Sequence, residues 1–242
     1  MDAEGKSPRF LAAGDTALVV EYGTAIEPAL IAAVQALDRA VVAARLPGVV
    51  ETVPSFRSLM VHYDPLATSA AALREQIAAL DPAAAGPSAP ARRWSLPCCY
   101  ERDFAPDLDP VAQATGLAPD AVAAAHAGTE FTVAMLGFLP GCPFLAGLEP
   151  CFDLPRRTEP RTRLPGGSVA VARRLSVIYP TESPGGWHLI GNCPLRLFDP
   201  ARPAPALLAP GDKVRFRPID AAEHRRIRED AGFDPARECL AT

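Results

Sequence analysis

The sequence predicts an α+β chain in two parts, a small α/β unit followed by an all-β barrel or sandwich. Three observations predict it. Strand-like and helix-like periodicities alternate through the first eighty residues; a stretch with three prolines and no periodicity follows at 81–90; and from Phe131 on, short apolar runs alternate with Gly and Pro clusters.

Leu18-Val19-Val20-Glu21-Tyr22-Gly23 is β-branched, aromatic and stopped by glycine, which reads as a strand. Ile26, Leu30, Val34, Leu37 and Val41 recur at three- and four-residue steps, the apolar face of a helix ending near Leu46-Pro47-Gly48. Val49–Val53 and Leu59–Tyr63 alternate as two strands, with Leu59, Val61 and Tyr63 on one side, and a second helix carries Leu73, Ile77 and Leu80. Strand, helix, strand, strand, helix is most of a split β-α-β unit, the ferredoxin-like arrangement, lacking one strand. The stretch 81–90 reads as a linker, so the predicted bodies are 7–86, 91–220 and a C-terminal helix and tail at 221–242. In the second body Arg93–Tyr100 suits a strand. Asp109–Gly116 and Pro119–His126 suit short helices, with Asp109 as a cap and Pro119 in a first turn. Thr132–Met135, Ser168–Ala172, Ser176–Tyr179, Trp187–Ile190 and Lys213–Arg217 then read as strands. The charged helix at 221–231 reads as solvated surface.

Composition excludes several functions. The chain has 242 residues, a formal charge of −4 and only two lysines, Lys6 and Lys213, so it lacks the basic coat that binds nucleic acid. No apolar run is long enough to span a membrane, and Met1–Lys6 lacks the order of a secretory signal, so the expected address is the cytoplasm. Six cysteines, none in C-x-x-C spacing, read as reduced thiols, with no metal site expected. P-loop, Rossmann and nucleophile-elbow signatures are absent.

The chemistry concentrates between Gly137 and Gly191. Gly137-Phe138-Leu139-Pro140-Gly141, Leu164-Pro165-Gly166-Gly167-Ser168 and Ser183-Pro184-Gly185-Gly186-Trp187 are loops in which proline presets φ and glycine allows close approach. Exposed amides can there converge on an anion, or the pairs can simply turn the corners of a barrel. Beside them, residues 151–178 hold six arginines against Asp153 and Glu159, a cationic island. Arg156 and Arg161, each following a proline, are candidates for gripping a carboxylate or phosphate, with a solvated loop as the alternative. His126 and His188 are placed to shuttle a proton or to serve as structural groups; His62 and His224 are assigned no role.

These loops, taken in order with Gly14–Leu18, Pro54–Leu59, Tyr63-Asp64-Pro65 and Pro210–Phe216, resemble one family: the B subunit of bacterial 5-oxoprolinase, also described as the sensor-kinase inhibitor KipI and as allophanate hydrolase subunit 1. The resemblance covers nearly the whole chain. It implies a small α/β domain followed by a cyclophilin-like β-barrel. It also implies partners, the C and A subunits of 5-oxoprolinase, with which the B subunit opens the lactam of 5-oxo-L-proline to L-glutamate at the expense of ATP. ATP is then shared with those partners, and the chain alone is expected to be inactive. The substrate is a small anionic lactam or amide whose oxygen, once phosphorylated through the iminol form, becomes a leaving group for attack by water. The pocket carried over comprises His126, Gly137, Phe138, Pro140, Gly141, Arg156, Arg161, Gly166, Gly167, Ser168, Gly185, Gly186 and Trp187, with no catalytic residue assigned. The chain departs from the family pattern at Gly141-Cys142-Pro143-Phe144 and at Gly191-Asn192-Cys193, where an arginine is usual at 192. Two other functions fit the resemblance: inhibition of a histidine kinase, and a carboxyltransferase role on urea-like or allophanate-like amides.

Overall fold

Alternate residues of two neighbouring strands build the core of the first unit. The computed structural model describes residues 8–83 and 91–241, and the chain divides into two compact units at residue 90. Most of the linker read at 81–90, and the boundary at 86, lie outside the described residues.

The first unit runs β1 (Arg9–Ala12), β2 (Ala17–Glu21), α1 (Pro28–Ala44), β3 (Val49–Pro54), β4 (Ser58–Tyr63) and α2 (Ala70–Ala78). Its four strands form one antiparallel sheet in the order β1-β2-β4-β3. Leu18 and Val20 of β2 and Leu59, Val61 and Tyr63 of β4 pack on Val34, Leu37 and Val41 of α1 and on Leu73 and Ile77 of α2. Proline opens α1, where its missing N–H leaves nothing unpaired, and Ser69 caps α2 by accepting from the Ala72 amide at 3.2 Å. Ile26 falls before the helix and is 48% exposed, so the apolar face begins one turn later than its spacing predicts. No further strand of this unit follows α2 among the described residues; the free edge beside β2 is taken instead by β1, which precedes the segments that could be read. Four residues on a sheet edge, mostly exposed, carry no alternation to read.

The second unit contains β5 (Arg93–Cys99), α3 (Leu108–Thr115), α4 (Pro119–Gly128), β6 (Phe131–Leu136), β7 (Pro143–Ala146), β8 (Arg161–Leu164), β9 (Ser168–Ala172), β10 (Leu175–Ile178), β11 (Ser183–Gly185), β12 (His188–Asn192) and β13 (Lys213–Ile219), then α5 (Ala221–Glu229), α6 (Pro235–Cys239) and β14 (Leu240–Ala241). Seven strands form a closed barrel in the order β12-β9-β10-β7-β6-β13-β5, shut where Asn192 of β12 pairs with Cys99 of β5. Neighbours run antiparallel except β13 and β5, which run parallel from Lys213↔Arg93 to Ile219↔Cys99. Leu96, Phe131, Val133, Leu145, Val169, Val171, Ile178, Ile190, Val214 and Phe216 fill its core. Each such side chain contributes about 1.5–3 kcal/mol, so the barrel is a rigid frame for the loops between its strands.

Among the described residues β8 and β11 pair only with each other, as a ribbon that includes Arg161 and Arg163. Neither was legible, because Pro184 and Gly185 in β11 and the charges of β8 mask the strand pattern. The C-terminal segment corrects an expectation. His224 and Ile227 of α5 are buried and β14 pairs with Trp94 and Arg93 of β5, so the charged helix packs on the barrel and is not a solvated tail. Asp109 is not the cap of α3 either: it lies in the first turn and pairs with Arg102, while Asp107 holds the cap position without a capping bond.

Gly167 has φ 85°, and a Cβ there would lie 2.3 Å from the Cys193 carbonyl oxygen. Gly167→Ala should therefore cost about 2 kcal/mol or more in urea unfolding, whereas Gly116→Ala, with φ 74° but open space around it, should cost about 1 kcal/mol. Equal losses would show that backbone strain alone, without the clash, governs the turn.

Candidate functional site

The glycine and proline residues between β6 and β7 fold that connection back on itself. The Gly137 amide donates to the Cys142 carbonyl (3.1 Å), Cys142 to Leu139 (3.0 Å) and Leu139 to Gly137 (2.8 Å). The last bond closes a γ-turn about Phe138, whose φ of 69° is strained for a residue with a side chain. So held, Phe138 stands 64% exposed, its ring edge-on to Tyr179 at 6.2 Å. Pro140 lies on the exposed side of this loop, and Gly141 backs onto Leu197 and Phe198 too closely for any Cβ.

Facing Phe138 and Tyr179 across a pocket of about 200 Å³ are Phe144 and Trp187, with Cys142, Gly185 and Gly186 completing the wall. Phe144 meets Trp187 edge-on at 5.8 Å, and the Arg156 guanidinium sits over the indole at 5.7 Å. A Cβ at Gly185 would lie 2.5 Å from Leu164 Cδ1 and 2.7 Å from the Tyr179 hydroxyl, so a larger residue there would push these side chains aside. Burial, reinforced by Cys142 and partly offset by Arg156, pushes Tyr179 up to about 12. Burial pushes the Cys142 thiol up to about 12 as well. At neutral pH Tyr179 is thus a hydrogen-bond donor, and Cys142 is not a thiolate nucleophile. Four aromatic faces and one cation suit a small ring bearing a carboxylate.

Arg161 does something else. Its two Nη atoms donate to the buried Asp107 carboxylate at 2.7 and 2.8 Å, and Arg157 adds a third bond at 3.1 Å. The Leu189 amide supplies a fourth at 2.7 Å. Burial raises the Asp107 pKa, but the Arg161 hydrogen bonds, the Leu189 amide and the two arginine charges outweigh it and leave the carboxyl below its ordinary value. Arg157 also donates its amide to the Gly186 carbonyl at 2.7 Å. Arg163 pairs with Glu182, and Arg173 and Arg174 make the tight turn between β9 and β10 at φ 50° and 60°. Carboxylates from outside the segment therefore pair three of its six arginines, Arg157, Arg161 and Arg163, and of the other three Arg156 lines the pocket.

The remaining predicted residues part company. Gly166, Gly167 and Ser168 turn away from the aromatic pocket: Gly166 and Ser168 line a second pocket, with Asn192 and His224. Gly137 lies at the base of the Phe138 turn. His126 belongs to neither pocket. It is fully buried between Phe131 and Phe216, with Nδ1 2.7 Å from the Tyr100 hydroxyl and Nε2 2.9 Å from Ser176 Oγ, a core histidine. His188 donates from Nε2 to the Pro155 carbonyl at 2.9 Å, which steadies the loop before Arg156. Sequence reasoning missed Asp107, Tyr179, Asn192 as a packed group, and His224. A single aspartate or tyrosine has no local signature, though His224 and Ile227 at a three-residue step were a readable sign of a buried helix face.

The closed barrel gathers aromatic rings and one guanidinium at a single cleft. The chain belongs to the family described as carboxyltransferase domain, subdomain C and D, which matches residues 8–208, and within it to the relatives of the 5-oxoprolinase B subunit. The B subunit of 5-oxoprolinase from Bacillus subtilis (strain 168) is 34% identical over 232 residues, 90% of this chain and 95% of that protein. A urea amidolyase of Lachancea kluyveri is 27% identical over 250 residues, 90% of this chain and 14% of that protein. The crystal structure of TTHA0988 superposes with a TM-score of 0.73 at 37% identity; the match covers 84% of this chain and 40% of that one, so the chain spans about two fifths of its length. Among the described residues no three His, Cys, Asp or Glu side chains converge as a metal site, and no helix is long and apolar enough to cross a membrane.

Asp107→Asn should loosen the arginine ribbon and cost about 2 kcal/mol in urea unfolding, less than a wholly buried pair because both arginines are partly solvated. Burial lowers the His126 pKa to about 3, against 6.5 for the free group. Between those values the unfolded chain binds the extra proton, so stability falls as pH falls, by up to about 1.4 kcal/mol per pH unit from this residue. Urea midpoints from pH 7 to 4 should decline more steeply for the native chain than for His126→Gln; parallel lines would remove His126 as the cause.

Proposed function

We propose that this chain is the B subunit of an ATP-dependent 5-oxoprolinase, working in the cytoplasm with C and A subunits to open 5-oxo-L-proline to L-glutamate. The observation that carries this reading is the pairing of Arg156, which meets no carboxylate among the described residues, with the Trp187 face in a pocket walled by aromatic rings. A five-membered lactam with one carboxylate has the matching chemistry. The name and near-complete coverage of the Bacillus relative support it. We also read the sheet order of the first unit as ferredoxin-like and the seven-strand barrel as cyclophilin-like.

ATP, held jointly with the partner subunits, supplies the phosphoryl group that converts the unreactive lactam oxygen into an activated one. The tasks of this chain are binding and orientation. Arg156 pairs with the substrate carboxylate; Trp187, Phe144 and Phe138 cover the ring and exclude water; and the Tyr179 hydroxyl, still protonated, donates where negative charge develops. Arg161 serves through Asp107 by positioning the ribbon that presents Arg156.

A second reading, a carboxyltransferase-type subunit acting on a urea-like amide, is favoured by the family description and by the urea amidolyase relative. Reconstitution separates the two. Mixed with its C and A partners, the chain should support ATP hydrolysis that depends on 5-oxoproline, and alone it should not. Arg156→Ala should lower kcat/KM for 5-oxoproline about ten- to a hundredfold, mainly through KM, as expected for a lost charged contact. Unchanged kcat/KM removes Arg156 from substrate binding, and turnover of urea with a biotin carrier in place of 5-oxoproline selects the second reading.

A further inference from the structure

Several arginines of the barrel unit join no ion pair among the described residues, Arg173 and Arg174 of the β9–β10 turn included, and two of them lie together at the second pocket. Arg92 is matched by Asp212, Arg157 and Arg161 by Asp107, Arg163 by Glu182 and Arg217 by Glu223. Among the described residues Arg225 and Arg228 of α5 join no ion pair, and both line the second pocket, about 370 Å³, between α5 and the Pro165–Ser168 turn. Arg228 donates to the Gly166 carbonyl at 3.3 Å. In a chain whose formal charge is −4, one cavity thus holds two guanidiniums that no carboxylate pairs, with a single carboxylate, Asp103, elsewhere on its wall.

The wall behind them is built and fixed. The Gly166 carbonyl can only accept, so Asn192 turns its NH₂ to it at 3.2 Å and its Oδ1 to His224 Nε2 at 2.8 Å, which must then donate. His224 Nδ1 is left as a bare lone pair, buried and without a partner. The Phe104 ring packs on the imidazole at 4.4 Å. Burial, then the charges of Arg228 and Arg225, hold the His224 pKa below its ordinary value, so the ring is neutral and the pocket's positive charge is that of the arginines. Two lining groups accept protons: Ser168 Oγ, which has given its own hydrogen to the Pro165 carbonyl at 2.7 Å, and the carboxylate of Asp103.

That mixture selects among anions. One guanidinium fork satisfies a carboxylate, whereas two forks suit the several oxygens of a tetrahedral anion. Phosphate at neutral pH carries at least one P–OH that can donate to Asp103 or Ser168, while sulfate carries none and meets Asp103 as repulsion. We propose that the pocket between α5 and the Pro165–Ser168 turn is a phosphate site, in which Arg225 and Arg228 take the unprotonated oxygens and Asp103 takes the P–OH. It shares no lining residue with the aromatic pocket and stands independently of the 5-oxoprolinase reading. The phosphate is either free or the terminal group of a nucleotide.

Titration of the full chain at pH 7 with inorganic phosphate, followed by calorimetry and by ³¹P line broadening, tests this. Saturable binding is expected, weakened about tenfold or more by Arg225→Ala. Arg225 is exposed and makes no ion pair, so that variant should fold. Sulfate should bind at least about tenfold more weakly than phosphate, and Asp103→Asn should bring the two together. Arg156→Ala, in the other pocket, should leave phosphate affinity unchanged. Competition by ATP identifies a nucleotide as the source, and its absence identifies free phosphate. No saturation, equal binding of sulfate and phosphate to the native chain, an unaltered Arg225→Ala variant, or a loss in Arg156→Ala would each overturn the proposal.

Discussion

One buried carboxylate organises the loops beside the aromatic pocket of the barrel unit. Taking Asp107 out of water costs several kcal/mol, which is offset only because four donors converge on it from two arginines and the Leu189 amide. Those donors belong to different segments, so satisfying the charge also joins them: the helix start at Leu108, strand β12, the loop at Arg157 and the start of β8 at Arg161. With Arg157 further tied to the Gly186 carbonyl, the neighbouring Arg156 lies over Trp187. The position of the cation in the aromatic pocket is thus a consequence of an ion cluster that does not touch that pocket.

The turn at Leu164–Ser168 separates two environments. On one side aromatic rings and a single guanidinium give an apolar cleft in which burial keeps Tyr179 and Cys142 protonated. On the other, two guanidiniums, a neutral histidine and a carboxylate give a polar cavity. The tight turn depends on Gly167, whose backbone passes against the Cys193 carbonyl and the Asn192 side chain. A barrel offers this arrangement readily, because its closed hydrogen bonding leaves the loops free to specialise while the strands hold their ends still.

Strain is also localised on that side. Phe138 sits at positive φ in a γ-turn and keeps a large apolar ring exposed at the pocket. A residue with a side chain holds that conformation only where its surroundings fix it, and three backbone bonds within Gly137–Cys142 do so. The exposed ring then forms a wall of the aromatic pocket opposite Trp187.

From sequence alone, the strands with clean alternation, the two helices of the first unit and the family were legible, because periodicity and motif order are local properties of the chain. Gly137–Gly141, Gly185–Gly186 and Trp187 were singled out from their Gly and Pro pattern, and the fold places Phe138, Gly185, Gly186 and Trp187 around one pocket. Charge was another matter. Six arginines in a short segment read as an anion site until Asp107, some fifty residues upstream in the chain, and Glu182 cancelled three of them. His126 looked as available as any histidine until the barrel closed round it, and the charged helix α5 looked solvated until His224 and Ile227 went beneath it. Local pattern sets which residues form strands and turns; which charges remain unpaired, and which histidine is buried, depends on partners distant in sequence, and only the folded chain decides that.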